Sequence, residues 1–195
     1  EHVFPKSLAN PVLNTDYPGT GTDAHNLRAV DRQLNSSRSN NQFREKWPSD
    51  VTGQAKLLNG GFYPGDEWTG DVARILMYMY VHYGKETDPY LVAYNSTTSN
   101  TDGMPDMFLK WNVLDKVSEF EKVRNEIIAA KQGSRNPFID NPYLATLIWG
   151  GEKAENRWGE LETINYNYQE NIVEISPNPT SDVVTVSAKN FKSAN

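Results

Sequence analysis

The sequence predicts an α+β fold, mostly helical, with a short β tail at the C-terminus. Three observations carry this. The first forty or so residues read as strand, loop, strand and short helix. Four later segments, near 70–83, 104–114, 118–131 and 142–149, repeat apolar residues at helical spacing. After Gly150-Gly151 the composition turns polar, and two alternating segments then read as strands.

In order, residues 1–8 read as a strand that turns at Pro5, and 9–23 as a loop punctuated by Pro11, Asn14, Pro18, Gly19 and Gly21. His25 to Leu27 reads as a second strand. From Arg28 the period becomes helical: Leu27, Val30 and Leu34 form an apolar stripe, with Asp31, Asn35 and Arg38 on a polar one beside it. This lets Glu1-His2 and Asn35 face each other. Residues 41–68 are polar and turn-rich. Gly70 to Tyr83 is the strongest helix, with Val72, Ile75, Leu76, Met79, Tyr80 and Tyr83 on a wide apolar face and only Asp71, Arg74, Tyr78 and His82 as a polar stripe. Residues 85–103 read as a long loop and Met104 to Leu114 as a helix. Ser118 and Glu121 spell a capping box for a helix to about Lys131, with Phe120, Val123 and Ile127 facing inward and Gly133 as its stop. Asn141 and Pro142 open a last helix through Trp149. Five tryptophans read mostly as core. At the end, Ile172-Val173-Glu174-Ile175 and Val183-Val184-Thr185-Val186 are the tail strands.

Composition narrows the function. Of 195 residues, 37% are hydrophobic and the mean hydropathy is -0.67, and the longest apolar run, Ile75 to Val81, is far short of the ~20 residues a membrane helix needs. A net charge of -6 argues against a general nucleic-acid coat. It leaves room for a local basic patch: Arg28 to Lys46 holds five basic residues (Arg28, Arg32, Arg38, Arg44, Lys46) against two acidic ones (Asp31, Glu45). The absence of cysteine removes disulfides and thiolate zinc sites.

The chemistry gathers at the first residues. Glu1 places a carboxylate beside the imidazole of His2, and Asn35 offers an amide oxygen from the short helix. A hard divalent cation takes oxygen ligands of this kind and keeps several waters. A water attacking phosphorus needs a base that is neutral near pH 7, which suits histidine. These are the parts of a one-metal phosphodiesterase.

The ordered series Glu1-His2-Val3-Phe4-Pro5-Lys6-Ser7, Asp23-Ala24-His25-Asn26-Leu27-Arg28 and Asn35-Ser36-Ser37-Arg38-Ser39-Asn40 resembles the endonuclease I family of His-Me finger nucleases. The match continues through Gly70-Asp71-Val72-Ala73-Arg74, Trp111-Asn112, Glu121 with Arg124-Asn125, and Gln132-Gly133-Ser134-Arg135-Asn136-Pro137-Phe138-Ile139-Asp140. The resemblance implies a ββα-metal finger packed on a helical domain. It implies cleavage of DNA, and also of RNA, with Mg²⁺ or with Ca²⁺ or Mn²⁺ in its place. His2 would be the general base and Glu1 and Asn35 the metal ligands. In some relatives a loop arginine holds the phosphate, yet residues 9–24 here contain no arginine or lysine. Arg38, one turn from Asn35, is then the first candidate, followed by Arg32 and Arg28. His25, Arg74 and Glu121 read as structural support. Relatives carry a segment before the Glu-His pair, so an upstream piece is expected.

The domain reading is a nuclease-like domain over 1–150, a linker over 151–171 and a partial sorting domain over 172–195. The last part rests on Ile175-Ser176-Pro177-Asn178-Pro179-Thr180-Ser181, which is similar to the start of C-terminal domains sorted by the type IX secretion machinery. That resemblance implies a secreted or cell-surface protein. The competing reading is a catalytically impaired nucleic-acid-binding or surface module of the same fold. A third is a phosphoesterase for small substrates.

Overall fold

The central helix α2, Thr69–Tyr83, is buried along twelve consecutive residues, Thr69 to Tyr80, and the rest of the first unit is arranged around it. The computed structural model describes residues 1–100 and 102–159, together with the strands 173–176 and 185–188. Residues Glu1–Gly159 form one compact unit. Its elements are α1 (Arg32–Arg38), a hairpin of β1 (Lys56–Leu58) and β2 (Gly61–Tyr63), α2, α3 (Asp106–Leu114), α4 (Glu119–Gln132), α5 (Pro137–Asp140) and α6 (Tyr143–Trp149). Short 3-10 turns, including Lys6–Leu8 and Ala24–Asn26, join them.

The apolar core lies between α2, α3 and the first residues. Leu76, Met77 and Met79 of α2, Phe108 and Trp111 of α3, and Phe4 are all buried there. Phe43 links this core to the hairpin. Its backbone bridges Phe62 on one side and Ala93 on the other, and its ring meets Phe108 and Trp111 edge-on. The turn-rich reading of 41–68 missed that hairpin. Each strand has three residues, too few for alternation to show in sequence.

The polar stripe of α2 faces protein through Asp71, Arg74 and Tyr78, and only His82 at its end is exposed. Arg74, with no exposed surface, donates from Nε and Nη2 to the two carboxylate oxygens of Glu121 on α4, both at 2.7 Å, and from Nη1 to the Asp115 carbonyl at 2.7 Å. Asn136 donates to the Arg74 carbonyl and exchanges bonds with Asn125. Helix α4 therefore packs through Glu121, Asn125 and Ile128. This reverses the expected face: Phe120, Val123 and Ile127 are 59, 58 and 57% exposed. The helix itself forms as its caps dictate, since both halves of the Ser118–Glu121 capping box are present and Gly133 closes it at φ 83°.

Further differences are local. Helix α1 begins at Arg32 because the Asp31 side chain caps it, accepting from the amides of Gln33 and Leu34. Neither expected strand at the start of the chain forms in full: residues 1–8 keep one isolated bridge, at His2, before the 3-10 turn Lys6–Leu8, and 25–27 is the 3-10 turn Ala24–Asn26 ending at its partner Leu27. Trp111 and Trp149 are core, whereas Trp47, Trp68 and Trp158 are 48, 40 and 61% exposed. The first unit continues past residue 150. Ala154 is buried, the Glu155 carbonyl accepts from the Tyr143 amide, and Arg157 donates to the Ile139 carbonyl at 2.9 Å. In the second unit, β3 (Val173–Ser176) and β4 (Thr185–Ala188) pair antiparallel, with Val173 opposite Ala188. The linker over 160–171 and the motif after Ser176 lie outside the described residues.

Breaking a buried ion pair leaves one charge uncompensated. Glu121→Ala should cost about 3–5 kcal/mol of unfolding free energy, and Val123→Ser less than about 0.5. Urea unfolding of the two variants checks both values, and equal losses would contradict this packing.

Candidate active site

The extended segment Glu1 to Phe4 is held by an isolated antiparallel bridge and its flanking backbone bonds. Glu1 and Arg28 exchange backbone bonds, Arg28 N–H to the Glu1 carbonyl at 2.9 Å and the Glu1 amino group to the Arg28 carbonyl at 2.9 Å. His2 sits opposite Leu27, and Val3 N–H donates to the Asn26 carbonyl at 2.8 Å. The buried Asn26 side chain extends this pairing. Its Oδ1 accepts from Phe4 N–H at 2.7 Å and its Nδ2 donates to the Phe4 carbonyl at 3.2 Å.

Arg38 fixes this segment to α1. The guanidinium is 2% exposed and lies 4.5 Å from the centre of the Phe43 ring. Nη1 donates to Glu1 Oε1 and to the His2 carbonyl (2.8 Å), and Nη2 to the Val3 carbonyl (2.5 Å). Burial pulls the Arg38 pKa below its ordinary value, against the Glu1 carboxylate, which raises it. The expectation that Arg38 grips a phosphate is corrected by this placement: the guanidinium is enclosed and its donors serve the strand.

His2 is half-buried and leaves the segment toward the loop. A ring nitrogen, Nε2, lies 2.8 Å from the Gly21 carbonyl oxygen. A carbonyl only accepts, so Nε2 carries a proton, and in the neutral ring Nδ1 then holds the lone pair. No described residue bonds to Nδ1. Gly21 is required at that position, because a Cβ there would stand 2.1 Å from the Asn14 carbonyl oxygen. Successive residues of an extended strand alternate faces. Glu1 and His2 accordingly take partners on different elements, α1 and the loop.

Glu1 and Arg28, as a directly opposed pair, share a face. They line one cavity of about 290 Å³ together with Leu34, Phe43, Trp68 and Asp71. Arg28 lies between the Trp68 and Phe120 rings, 5.0 Å from each centre, and 2.8 Å from Asp71 Oδ2. Burial pushes the Asp71 carboxyl up and Glu121 adds to this, opposed by Arg28 and Arg74. Asn35 lies on the same side of α1 as Arg38, three residues before it. It is exposed, and its side chain bonds to no described residue. Arg32 is exposed and forms no ion pair among the described residues.

The oxygens fit a hard cation. Glu1 Oε1 accepts from Arg38, no described residue donates to Oε2, and the Asn35 amide is open to solvent. Among the described residues no three of His, Cys, Asp and Glu cluster as a metal cage. One carboxylate and one amide suit an ion that retains most of its waters.

The family model described as Endonuclease I matches residues 1–143. This chain belongs to the endonuclease I family. Similar proteins include the extracellular ribonucleases of Bacillus subtilis (strain 168) and Bacillus amyloliquefaciens. Each is 41% identical over 160 residues, which is 76% of this chain and 53% of the relative. The Endonuclease-1 of Buchnera aphidicola subsp. Baizongia pistaciae is 28% identical over 137 residues, 67% of this chain and 51% of that protein. The chain thus spans about half the length of the relatives it matches.

The endonuclease I core shared by these residues is braced from behind. Buried His25 donates from Nε2 to the Ser134 carbonyl at 3.0 Å. Arg124 donates to the carbonyls of Ala24 and, at 2.6 Å, Leu27. Its pKa is pushed down to about 10 by burial and by the nearby Arg28 charge. Asp23, Asn26, Tyr78, Tyr83 and Gln132 also hold the site, and the sequence reading assigned none of them a role in it. The buried Asp23 was the one legible signal: an acidic residue two before a histidine, in a loop with no basic residue to pair with.

Two outcomes follow for this endonuclease I chain. Arg38→Lys should cost about 1.5–3 kcal/mol, because one ammonium cannot reach acceptors on three consecutive residues in fork geometry; wild-type urea midpoints would argue against the strand clamp. Burial lowers the His25 pKa from 6.5, against the Ser134 carbonyl and Asp23, which raise it. The unfolded chain takes up this proton first, so stability is full above 6.5 and falls as pH drops through that value. Urea midpoints from about pH 8 to about pH 5 should decline, and His25→Gln should flatten that decline.

Proposed function

We propose that this chain is the catalytic core of a secreted, metal-dependent endonuclease that hydrolyses phosphodiester bonds in DNA and RNA with little sequence preference. The observation that carries it is His2, with Nε2 tied to the Gly21 carbonyl and Nδ1 left to act, in an endonuclease I chain that also presents Glu1 and Asn35. The relatives named extracellular ribonuclease support a secreted enzyme and RNA as a substrate, and the name Endonuclease-1 supports internal cleavage of a nucleic acid.

His2 Nδ1 takes a proton from the attacking water, a contribution of roughly 10²–10⁴-fold for a well-placed base. Water oxygen bonds to phosphorus as the bond to the 3′ oxygen breaks. Glu1 and Asn35 would hold Mg²⁺, with Ca²⁺ or Mn²⁺ as substitutes, and the ion would supply Lewis-acid stabilisation of the phosphate and the leaving oxygen. Arg28 is the guanidinium for the phosphate, because it shares the Glu1 cavity. Arg28 is held 2.8 Å from Asp71 Oδ2, and an incoming phosphate would share the guanidinium with that carboxyl. Exposed Arg32 adds charge along the backbone. Arg38 positions Glu1. Contacts made mainly to phosphates give little sequence preference and a steep salt dependence. The type IX secretion partner rests on the tail sequence Ile175–Ser181 alone.

One observation favours the second reading, a module that binds nucleic acid without cutting it: the Glu1 and His2 side chains are partnered on different elements. The two readings separate in one assay. Supercoiled plasmid and a folded RNA are incubated with the protein and Mg²⁺, then with EDTA, and with His2→Ala and Glu1→Gln. The endonuclease cuts both substrates with Mg²⁺, stops with EDTA, and loses at least about 10²-fold in rate in His2→Ala. Gel retardation with intact substrate throughout would establish the binding module instead.

A further inference from the structure

Asp23 lies two residues beyond Gly21, whose carbonyl holds His2. It is 3% exposed, and both carboxylate oxygens are saturated. Oδ1 accepts from the His25 amide at 2.8 Å and from Gln132 Nε2 at 2.8 Å. Oδ2 accepts from the hydroxyls of Tyr78 at 2.9 Å and Tyr83 at 2.8 Å. A buried carboxylate with four donors is held charged and immobile. The donors come from three places: α2 gives both tyrosines, α4 gives Gln132, and the backbone of the same loop gives the fourth.

The loop before Asp23 is tied down as well. Thr20 Oγ1 donates to Glu86 Oε2 at 3.0 Å, Thr22 N–H closes a turn on the Gly19 carbonyl at 3.0 Å, and Gly21 lies against the Asn14 carbonyl. The Gly21 carbonyl therefore has one direction in which to point, and His2 is what it meets. No carboxylate touches His2 itself among the described residues. The part a carboxylate would play is taken by a backbone carbonyl, which is in turn anchored by Asp23.

We propose that Asp23, with Tyr78, Tyr83 and Gln132, is a positioning cluster for His2: it fixes the Gly21 carbonyl, which keeps the proton on Nε2 and turns Nδ1 toward the attacking water. This rests on the reading of His2 as the base. The cluster never touches substrate or metal. Its effect belongs in kcat, through the fraction of His2 rings that present Nδ1, and leaves nucleic-acid binding unchanged.

The test uses the full chain in three forms: wild type, Asp23→Asn, and the double variant Tyr78→Phe with Tyr83→Phe. An asparagine cannot accept from four donors. The double variant keeps the carboxylate and both Oδ1 bonds, so it carries the test if Asp23→Asn does not fold. Ring ¹⁵N shifts of His2 are recorded beside kcat and KM on RNA and circular dichroism for folding. Wild type should show His2 protonated on Nε2 alone. The folded variants should show a mixture of tautomers and a fall in kcat of about 10–100-fold, the range seen when an orienting partner is lost, with KM within about twofold. Folded variants that keep the wild-type His2 tautomer and kcat would overturn the positioning role. His2→Ala separates the two layers: if it cuts as well as wild type, the base reading fails, and the tautomer readout alone then decides whether Asp23 orients the ring.

Discussion

The buried guanidinium of Arg38 is the contact on which the site depends. A strand of a few residues, bonded along one edge, has little stability of its own. Arg38 supplies what the strand lacks. It satisfies the carbonyls of His2 and Val3 and pairs with Glu1, while Phe43 covers its face. Enclosing a guanidinium is costly unless its donors are matched, and here three acceptors on consecutive residues serve its two terminal nitrogens, while Nε meets no acceptor among the described residues. Asn35 lies on the same side of the short helix α1 as this clamp. An arginine that looks available for a phosphate in sequence is what makes the place where a phosphate could bind.

The same logic recurs behind the strand. Arg74 with Glu121, Asp23 with its tyrosines and Gln132, and the half-buried Arg124 under the Ala24 and Leu27 carbonyls are polar groups whose partners lie far away in sequence. The apolar core holds α2, α3 and the first residues, through Phe4 and Leu13, together, and polar networks add α4 and the loop before Asp23 to them. A hydrophobic contact tolerates small shifts, whereas a network of charged hydrogen bonds loses much of its value if one member moves. Such a frame suits a site in which a ring nitrogen and a carboxylate must keep their orientation.

Much of the fold was legible. Helix α2 followed from its apolar face, α4 from its capping box and its glycine stop, and α6 from the Asn141-Pro142 opening. The inward face of α4 was not, because periodicity reports which residues share a face and not what that face meets. Phe120, Val123 and Ile127 make the more apolar stripe, yet Arg74 and Asn136 await the helix on the inner side, so Glu121 and Asn125 turn in. The three-residue strands of the hairpin were too short for any pattern.

For the site, the sequence by itself determined the chemical inventory. A carboxylate beside an imidazole, an amide thirty-odd residues later and the ordered series around them are matters of residue type and spacing, and they place the chain in its family. Only the tertiary structure decided what each group meets. It turned Arg38 inward, set Arg28 opposite Glu1, placed the Gly21 carbonyl on His2 and gathered four donors on Asp23. The physical reason is that hydrogen bonds and ion pairs are won by whichever partner the packed chain brings within about 3 Å, and most of these partners lie dozens of residues apart.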